Sequence, residues 1–207
     1  MTDKGNYFLN YGVVPNSSVS AAVNVLLEVQ EPFDQIDIDK PSKYVASIWE
    51  KACAHVEFGR DVRGKGFELL IATVLIKKNL LPFYWQAEFE FVPLANFDLA
   101  FYTEELGPIV LSLKTSVRER YKQAEFEAQA LKAVHRRAET YLITMDEEEA
   151  KNLNTKIDSG VLYGIDRAVV ATNSEFDTLI SDLALLKITT APTLPLIKRS
   201  RKVSKPS

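Results

Sequence analysis

The chain has 207 residues, a hydrophobic fraction of 46% and a net charge of −3, which indicate a globular protein with an ordinary core and do not by themselves favour a nucleic-acid binder. Its single cysteine, Cys53, excludes an intramolecular disulfide framework and a cysteine-rich metal site. No apolar run reaches the ~20 residues of a membrane-spanning helix, and residues 1–12 lack the pattern of a signal peptide. We therefore expect a soluble, cytoplasmic protein.

The first part of the chain predicts helices. Residues 1–16 have an irregular pattern, after which apolar residues recur at helical spacing. The segment 59–66, GRDVRGKG, is rich in glycine and basic residues and predicts a break between helices. The predicted helices are 18–30, 40–58 and 67–79, and the third is apolar enough to be central.

Strands and helices then alternate along the chain. The predicted strands are 82–93, 96–103, 108–116, 140–145 and 166–172, and the predicted helices are 118–138, 146–157 and 174–187. The first three strands can form an antiparallel meander, and strands separated by helices should run parallel to a neighbour. These elements predict an α/β fold with a mixed central β-sheet flanked by helices, plus extra N-terminal helices.

The charge is unevenly distributed along the chain. Residues 198–207, KRSRKVSKPS, carry five basic side chains and no acid, so the rest of the chain is more acidic than the net charge indicates. We expect this segment to be a disordered, solvated tail that can also act as a non-specific phosphate-binding arm. Residues 1–197 are expected to form a single domain.

Two charged residues interrupt strands that otherwise read as buried. Asp98 lies near the start of the second strand and Lys114 ends the third, on the same face as Ser112. A hairpin turn between these strands places residue 98 opposite about residue 113, so the two charges should be neighbours. Glu68, on the apolar third helix, can approach from the flank of the sheet. Carboxylates beside a lysine are suited to binding Mg²⁺ and activating water.

This arrangement resembles the PD-(D/E)XK nuclease superfamily, whose best-known members are restriction endonucleases. A helix with a glutamate, a strand with an aspartate, a hairpin and a strand ending in an acid-x-Lys triplet carry the resemblance. It implies an αβββαβ core from residue 67 to about residue 145.

The resemblance also implies a role for each residue. Asp98 would be a metal ligand, and the carbonyl of Leu113 would be an additional one. Lys114 would orient the attacking water, help to deprotonate it and stabilise charge at the phosphate. Glu68 would match the helix carboxylate that many members use for a second metal or its water.

The sequence departs from the family pattern at the triplet. Ser112 stands where the family has an acid, and Phe97 stands where it often has proline. Ser112 is a small residue that can leave room for a metal. Some restriction enzymes have a similar Ser-x-Lys triplet and take the missing acid from the next helix. The candidates here are Glu119, Glu125 and Glu127, and the sequence leaves the choice open, including the option that Glu68 suffices.

Basic residues follow the predicted catalytic strand. Arg118, Arg120 and Lys122 would lie at the mouth of the site, where arginine can hold phosphate with two hydrogen bonds. The alternative is an ordinary solvated helix face.

The predicted function is that of an endonuclease that cleaves double-stranded DNA with Mg²⁺, for which Mn²⁺ can substitute. A type II restriction endonuclease is the most specific form of this prediction. It implies a homodimer, for which residues 18–58 offer a surface, and a cognate DNA methyltransferase encoded nearby. Two alternatives remain open: a structure-specific repair or recombination nuclease, and a non-catalytic DNA-binding protein on a decayed nuclease fold.

Overall fold

The computed structural model describes residues 6–15, 20–90, 92, 94–191 and 197–204. A six-stranded mixed sheet forms the centre of the molecule, in the order β5-β4-β3-β2-β1-β6. The strands are β1 (Phe83–Phe89), β2 (Phe97–Thr103), β3 (Gly107–Lys114), β4 (Glu139–Thr144), β5 (Arg167–Val170) and β6 (Ile197–Val203). The helices are α1 (Tyr7–Asn10), α2 (Ala21–Val29), α3 (Pro41–Cys53), α4 (Arg60–Lys77), α5 (Tyr121–Val134), α6 (Glu147–Asp158) and α7 (Ser174–Leu185).

The strand directions confirm the predicted α/β class. Strands β1, β2 and β3 form an antiparallel meander, and β4 pairs parallel with both β3 and β5. Parallel pairing is reached because α5 and α6 supply the crossovers that such strands need. Helices α1 to α4 and α7 share a core with one face of the sheet, and α5 and α6 pack on the other. Among the described residues, no helix combines the length and the apolar character that crossing a bilayer requires.

Helix α4 begins earlier than the sequence predicts. It starts at Arg60, so most of the segment 59–66 is helical and the predicted break is wrong. The glycine at position 66 serves packing instead of a turn, because a Cβ there would lie 2.3 Å from the ring of Phe58. Gly66 therefore lets a buried aromatic ring lie against the helix backbone.

Residues 6–15 are more regular than their pattern predicts. Residues 7–10 form helix α1, and Tyr7 and Phe8 are buried in the main core. The Tyr7 hydroxyl donates to Gln30 Oε1 at 2.6 Å and lies 2.7 Å from the Thr73 hydroxyl. A buried phenol with hydrogen-bond partners costs little, so this polar contact ties α1 to α4.

The expected disordered tail is wrong for residues 198–203, which belong to β6. This strand pairs antiparallel with β1, joining Phe83 to Val203 and Trp85 to Arg201. Val203 is fully buried in the main core. The basic composition therefore did not predict this strand. Its apolar residue completes the core, and its backbone pairs with the edge of β1. Residues 205–207 lie outside the described part of the chain.

Candidate functional site

Asp98 and Lys114 are in contact, as the sequence predicts. Lys114 Nζ donates to Asp98 Oδ2 at 2.8 Å, and both side chains are mostly buried, with 22% and 12% exposed. The ladder between β2 and β3 ends at the pair Leu99 and Leu111, so residue 98 lies opposite residue 112, one position from the predicted 113. Each charge is the counter-ion of the other, which reduces the cost of burying them.

The two strands separate at this pair. The backbone N–H of Leu113 donates to Asp98 Oδ2 at 2.7 Å, past the last backbone pair of the ladder. In an extended strand the N–H and C=O of one residue point to the same side. The carbonyl of Leu113 therefore faces the gap that Asp98 occupies. Ser112, directly before it, is buried on β3.

Strand β1 is irregular beside Asp98. Gln86 has φ +51°, a left-handed conformation that is uncommon for a residue other than glycine. The pairing of β1 with β6 also shifts between Trp85 and Glu88. The Gln86 amide lies 3.5 Å from Asp98 Oδ1, a long contact. Bulges and strained residues of this kind are common next to functional sites.

Glu68 lies within the electrostatic reach of the pair. Its side chain is mostly buried on α4 and accepts from Lys65 Nζ at 3.0 Å. Burial raises the pKa of Glu68, and the charge of Asp98 raises it further, while Lys65 and Lys114 oppose the rise. Glu68 thus approaches the pair from α4, which packs on one face of the sheet.

Of the three glutamates left open by the sequence, only Glu127 is electrostatically coupled to Asp98. It is 5% exposed, burial raises its pKa, and the charges of Asp98 and Lys114 act on it in opposite directions. Gln123, one turn earlier on α5, donates to its carboxylate at 2.9 Å. Glu68 and Glu127 therefore lie within reach of the charge of Asp98, on helices that pack on opposite sides of the sheet.

The other two glutamates have different roles. Glu119 is exposed and forms an ion pair with Lys122. Glu125 accepts the backbone N–H groups of residues 163–165 at 2.8 to 2.9 Å and so fixes the loop before β5. Sequence spacing cannot separate these roles, since they depend on what packs around α5.

Four arginines line a cavity of about 640 Å³ beside the pair. Its wall includes Thr115 and Ser116, which follow Lys114 directly. The arginines are Arg60, Arg63, Arg118 and Arg120. None of the four takes part in an ion pair among the described residues.

The cavity contains two of the three basic residues predicted at this place. Lys122 instead forms its ion pair with Glu119 on an exposed surface. The sequence does not predict Arg60 and Arg63 as site residues, because the pattern of 59–66 predicts a break between helices. The signal was their i, i+3 spacing, which places both on one face of a helix.

Glu149 fixes the wall of this cavity. Its carboxylate accepts the backbone N–H of Val117, the backbone N–H of Arg118 at 2.9 Å and the Ser116 hydroxyl at 3.4 Å. Arg118 has φ +35°, a conformation that needs such support. Asp146 caps α6 by accepting from Glu149 N, so the acidic run 146–149 begins a helix as the sequence predicts.

The donor atoms at the pair are of the kind that Mg²⁺ and Mn²⁺ prefer. Carboxylate oxygens of Asp98, Glu68 and Glu127 and the carbonyl of Leu113 are hard ligands. Within the described ranges, no three His, Cys, Asp or Glu side chains are already close enough together to hold a metal ion. Burial raises the pKa values of Glu68 and Glu127, and a bound cation would stabilise their ionised forms.

Comparison of the chain with protein-family models, with curated proteins and with solved structures gave no match. The case for a function therefore depends on the residues and the geometry described above.

Proposed function

We propose that this chain is a nuclease of the PD-(D/E)XK type that hydrolyses DNA phosphodiester bonds with Mg²⁺ or Mn²⁺. The observation that most supports the proposal is the 2.8 Å contact between Asp98 and Lys114 where β2 and β3 separate. Stability alone does not explain a buried ion pair, because two apolar residues would fill the same space at a lower cost in free energy. A cation site facing a phosphate would explain it.

In this proposal Asp98 holds the metal, with Glu68, Glu127 and the carbonyl of Leu113 as the available further ligands. The bound cation would supply positive charge against the phosphate. Lys114 has three N–H donors, of which Asp98 occupies one. The remaining donors can orient a water molecule and contact a phosphate oxygen as negative charge develops there.

The arginine-lined cavity gives the DNA backbone a place beside the scissile bond. Guanidinium groups match phosphate oxygens with paired hydrogen bonds. Arg118 and Arg120 enter from the segment after β3, and Arg60 and Arg63 from the start of α4. Binding would thus depend on a local patch, because the net charge of the whole chain is −3.

The most specific form of the proposal is a type II restriction endonuclease that acts as a homodimer on double-stranded DNA, with a methyltransferase encoded nearby. The apolar faces of α2 and α3 are buried against other helices of the same chain, with Val23, Leu26, Val45 and Ile48 in the core. A dimer would therefore use another part of residues 18–58 or another surface.

The test is cleavage of a defined plasmid with Mg²⁺. We expect discrete fragments from the unaltered protein and none from Asp98→Asn or Lys114→Ala. Lys132→Ala is a matched control, because Lys132 forms an ion pair with Asp166 and is 23% exposed, close to the 22% of Lys114. Equal cleavage by Lys114→Ala and Lys132→Ala would contradict the proposal. Cleavage of branched DNA alone would favour a structure-specific nuclease.

A non-catalytic DNA-binding protein on a nuclease fold is the second candidate. Ser112 in place of an acid favours it. This candidate predicts DNA binding with no cleavage under any divalent cation, and unchanged binding in Asp98→Asn.

A further inference from the structure

Strand β6 places a basic residue beside the candidate site. Arg201 pairs with Trp85 on β1. Directly paired residues of antiparallel strands share a face of the sheet, and residues two apart in one strand share it too. Val203 and Trp85 both belong to the core on the α4 side. Arg201 therefore lies on the α4 side of the sheet, where Glu68 is found.

Arg201 and Trp85 each have a buried N–H group without an acceptor. Within the described residues, Arg201 Nη1 and Trp85 Nε1 are buried and make no hydrogen bond. Trp85 is wholly buried. A buried donor without an acceptor is costly and uncommon in folded proteins. Two such donors on paired residues indicate a place for an acceptor from outside the chain.

A third donor adjoins these two. Lys65 Nζ lies 4.0 Å from the centre of the Trp85 ring and 3.0 Å from Glu68 Oε2. Burial lowers the pKa of the Arg201 guanidinium, and the charge of Glu68 opposes that change. Arg201 and Lys65 thus place two positive charges near one carboxylate, that of Glu68.

The chemistry of the three groups restricts the ligand. Guanidinium, ammonium and indole N–H groups donate hydrogen bonds and accept none. Their ligand must therefore present acceptors, and the positive charges of Arg201 and Lys65 favour an anion. A phosphate group meets both conditions, whereas a metal ion meets neither.

We propose that Arg201, Trp85 and Lys65 form a phosphate-binding subsite for a nucleic-acid strand on the Glu68 side of the Asp98–Lys114 pair. This inference deepens the proposed function and depends on it for the identity of the phosphate. The subsite is separate from the arginine-lined cavity, whose tryptophan is Trp49. It gives β6 a role in binding as well as in closing the sheet.

The two tryptophans of the chain make the subsite observable by NMR. The indole N–H resonances of the full-length ¹⁵N-labelled protein can be followed without divalent metal, and Trp49→Phe assigns them. The probes are inorganic phosphate and a short DNA duplex. We expect both to shift the Trp85 resonance, with a half-saturating concentration about 10-fold or more higher in Arg201→Gln, since a charged hydrogen bond is lost.

Lys202→Gln is the matched control, because Lys202 is the next residue on β6 and its side chain is exposed. It should leave the Trp85 response unchanged. If Arg201→Gln does not fold, Arg201→Lys replaces it. This variant should also raise the half-saturating concentration for the Trp85 shift, because lysine lacks the planar guanidinium that donates paired hydrogen bonds. A Trp85 resonance that does not move, or that moves equally in the Arg201 variant, overturns the inference. A shift with inorganic phosphate that the duplex fails to produce also overturns it.

The measurement is independent of cleavage. A protein that shifts Trp85 with both probes but cuts no DNA supports the subsite and contradicts the nuclease proposal. A protein that cuts DNA while the Trp85 resonance does not shift supports the nuclease proposal and contradicts the subsite.

Discussion

Single residues around Asp98 set the chemistry of the candidate site. Glu68 and Glu127 are mostly buried carboxyls whose pKa values are influenced by the charge of the same aspartate, and burial is the main cause of the raised pKa of each. Neither can be recognised from spacing alone, because a glutamate on a helix is usually solvated. Their common feature is burial beside a charged pair, which is typical of groups retained for function at a cost in stability.

Glu127 is expected to supply the acid that is missing at Ser112. Glu127→Gln should lower Mg²⁺-dependent cleavage at least about 10-fold, with a higher Mg²⁺ requirement, because a metal ligand or its support is lost. Glu119→Gln is the control, since Glu119 is exposed and pairs only with Lys122. Initial rates measured over a range of Mg²⁺ concentrations check this. Equal losses in both variants would exclude the assignment.

The raised pKa values of Glu68 and Glu127 predict how stability depends on pH. A carboxyl whose pKa is higher in the folded state binds its proton more tightly there than in the unfolded chain. Its contribution to stability is present below the unfolded pKa of about 4.3 and is lost as pH rises through the folded pKa. The metal-free protein should therefore lose stability from these two groups as the pH rises from about 4 to neutrality.

Thermal unfolding midpoints with a chelator present measure this dependence. The double variant Glu68→Gln/Glu127→Gln should lose less stability over that pH range than the unaltered protein. The control is Glu50→Gln, because Glu50 lies on the exposed side of α3, and this variant should behave like the unaltered protein. Mg²⁺ should stabilise the unaltered protein more at pH 7 than at pH 4.5, because only ionised carboxylates bind it well. An identical pH dependence in the double variant would contradict the argument.

At the scale of secondary-structure elements, the start of α4 shows packing overriding a local pattern. Two glycines within a helix cost stability relative to alanine. They nonetheless occupy different environments: a Cβ on Gly66 would meet the buried ring of Phe58, and a Cβ on Gly64 would meet no atom within 4 Å. Glycine is thus needed at one position and only tolerated at the other.

Gly66→Ala should destabilise the protein by about 1–3 kcal/mol, because the buried Phe58 ring has to move. Gly64→Ala should stabilise it by up to about 1 kcal/mol through helix propensity. Denaturant unfolding of the two variants makes the comparison at almost the same place in the same helix. If Gly66→Ala also stabilises the protein, the ring does not need that space.

For the whole molecule, the hairpin and the parallel strands were predictable because their signals are local. Turn geometry brings Asp98 to within one register position of its predicted partner. The role of β6 was not predictable, because its five-basic-residue segment has the composition of a solvated tail and its partner strand lies over a hundred residues earlier. The predicted start of α4 was wrong, and the sequence left open which glutamate lies near Asp98, for the same reason, since each depends on a distant packing partner.

The distribution of charge over the whole molecule leads to a prediction about salt. A chain with net charge −3 binds a polyanion through local basic patches, of which the four arginines of the cavity form one. Each arginine that contacts a phosphate releases counterions, so the slope of log K against log salt should become shallower by about 0.9 for each contact removed. Arg60→Gln and Arg63→Gln should each weaken DNA binding and make the slope shallower by about 0.9.

Arg167→Gln is the matched control, because Arg167 pairs with Glu175 and lies on β5, away from the cavity. Fluorescence anisotropy of a labelled DNA duplex, titrated at several salt concentrations without divalent metal, gives the slopes. An unchanged slope in the cavity variants would mean that the four arginines do not contact the DNA backbone. An equal loss in Arg167→Gln would mean that binding follows the net charge of the molecule and not the arginines of the cavity.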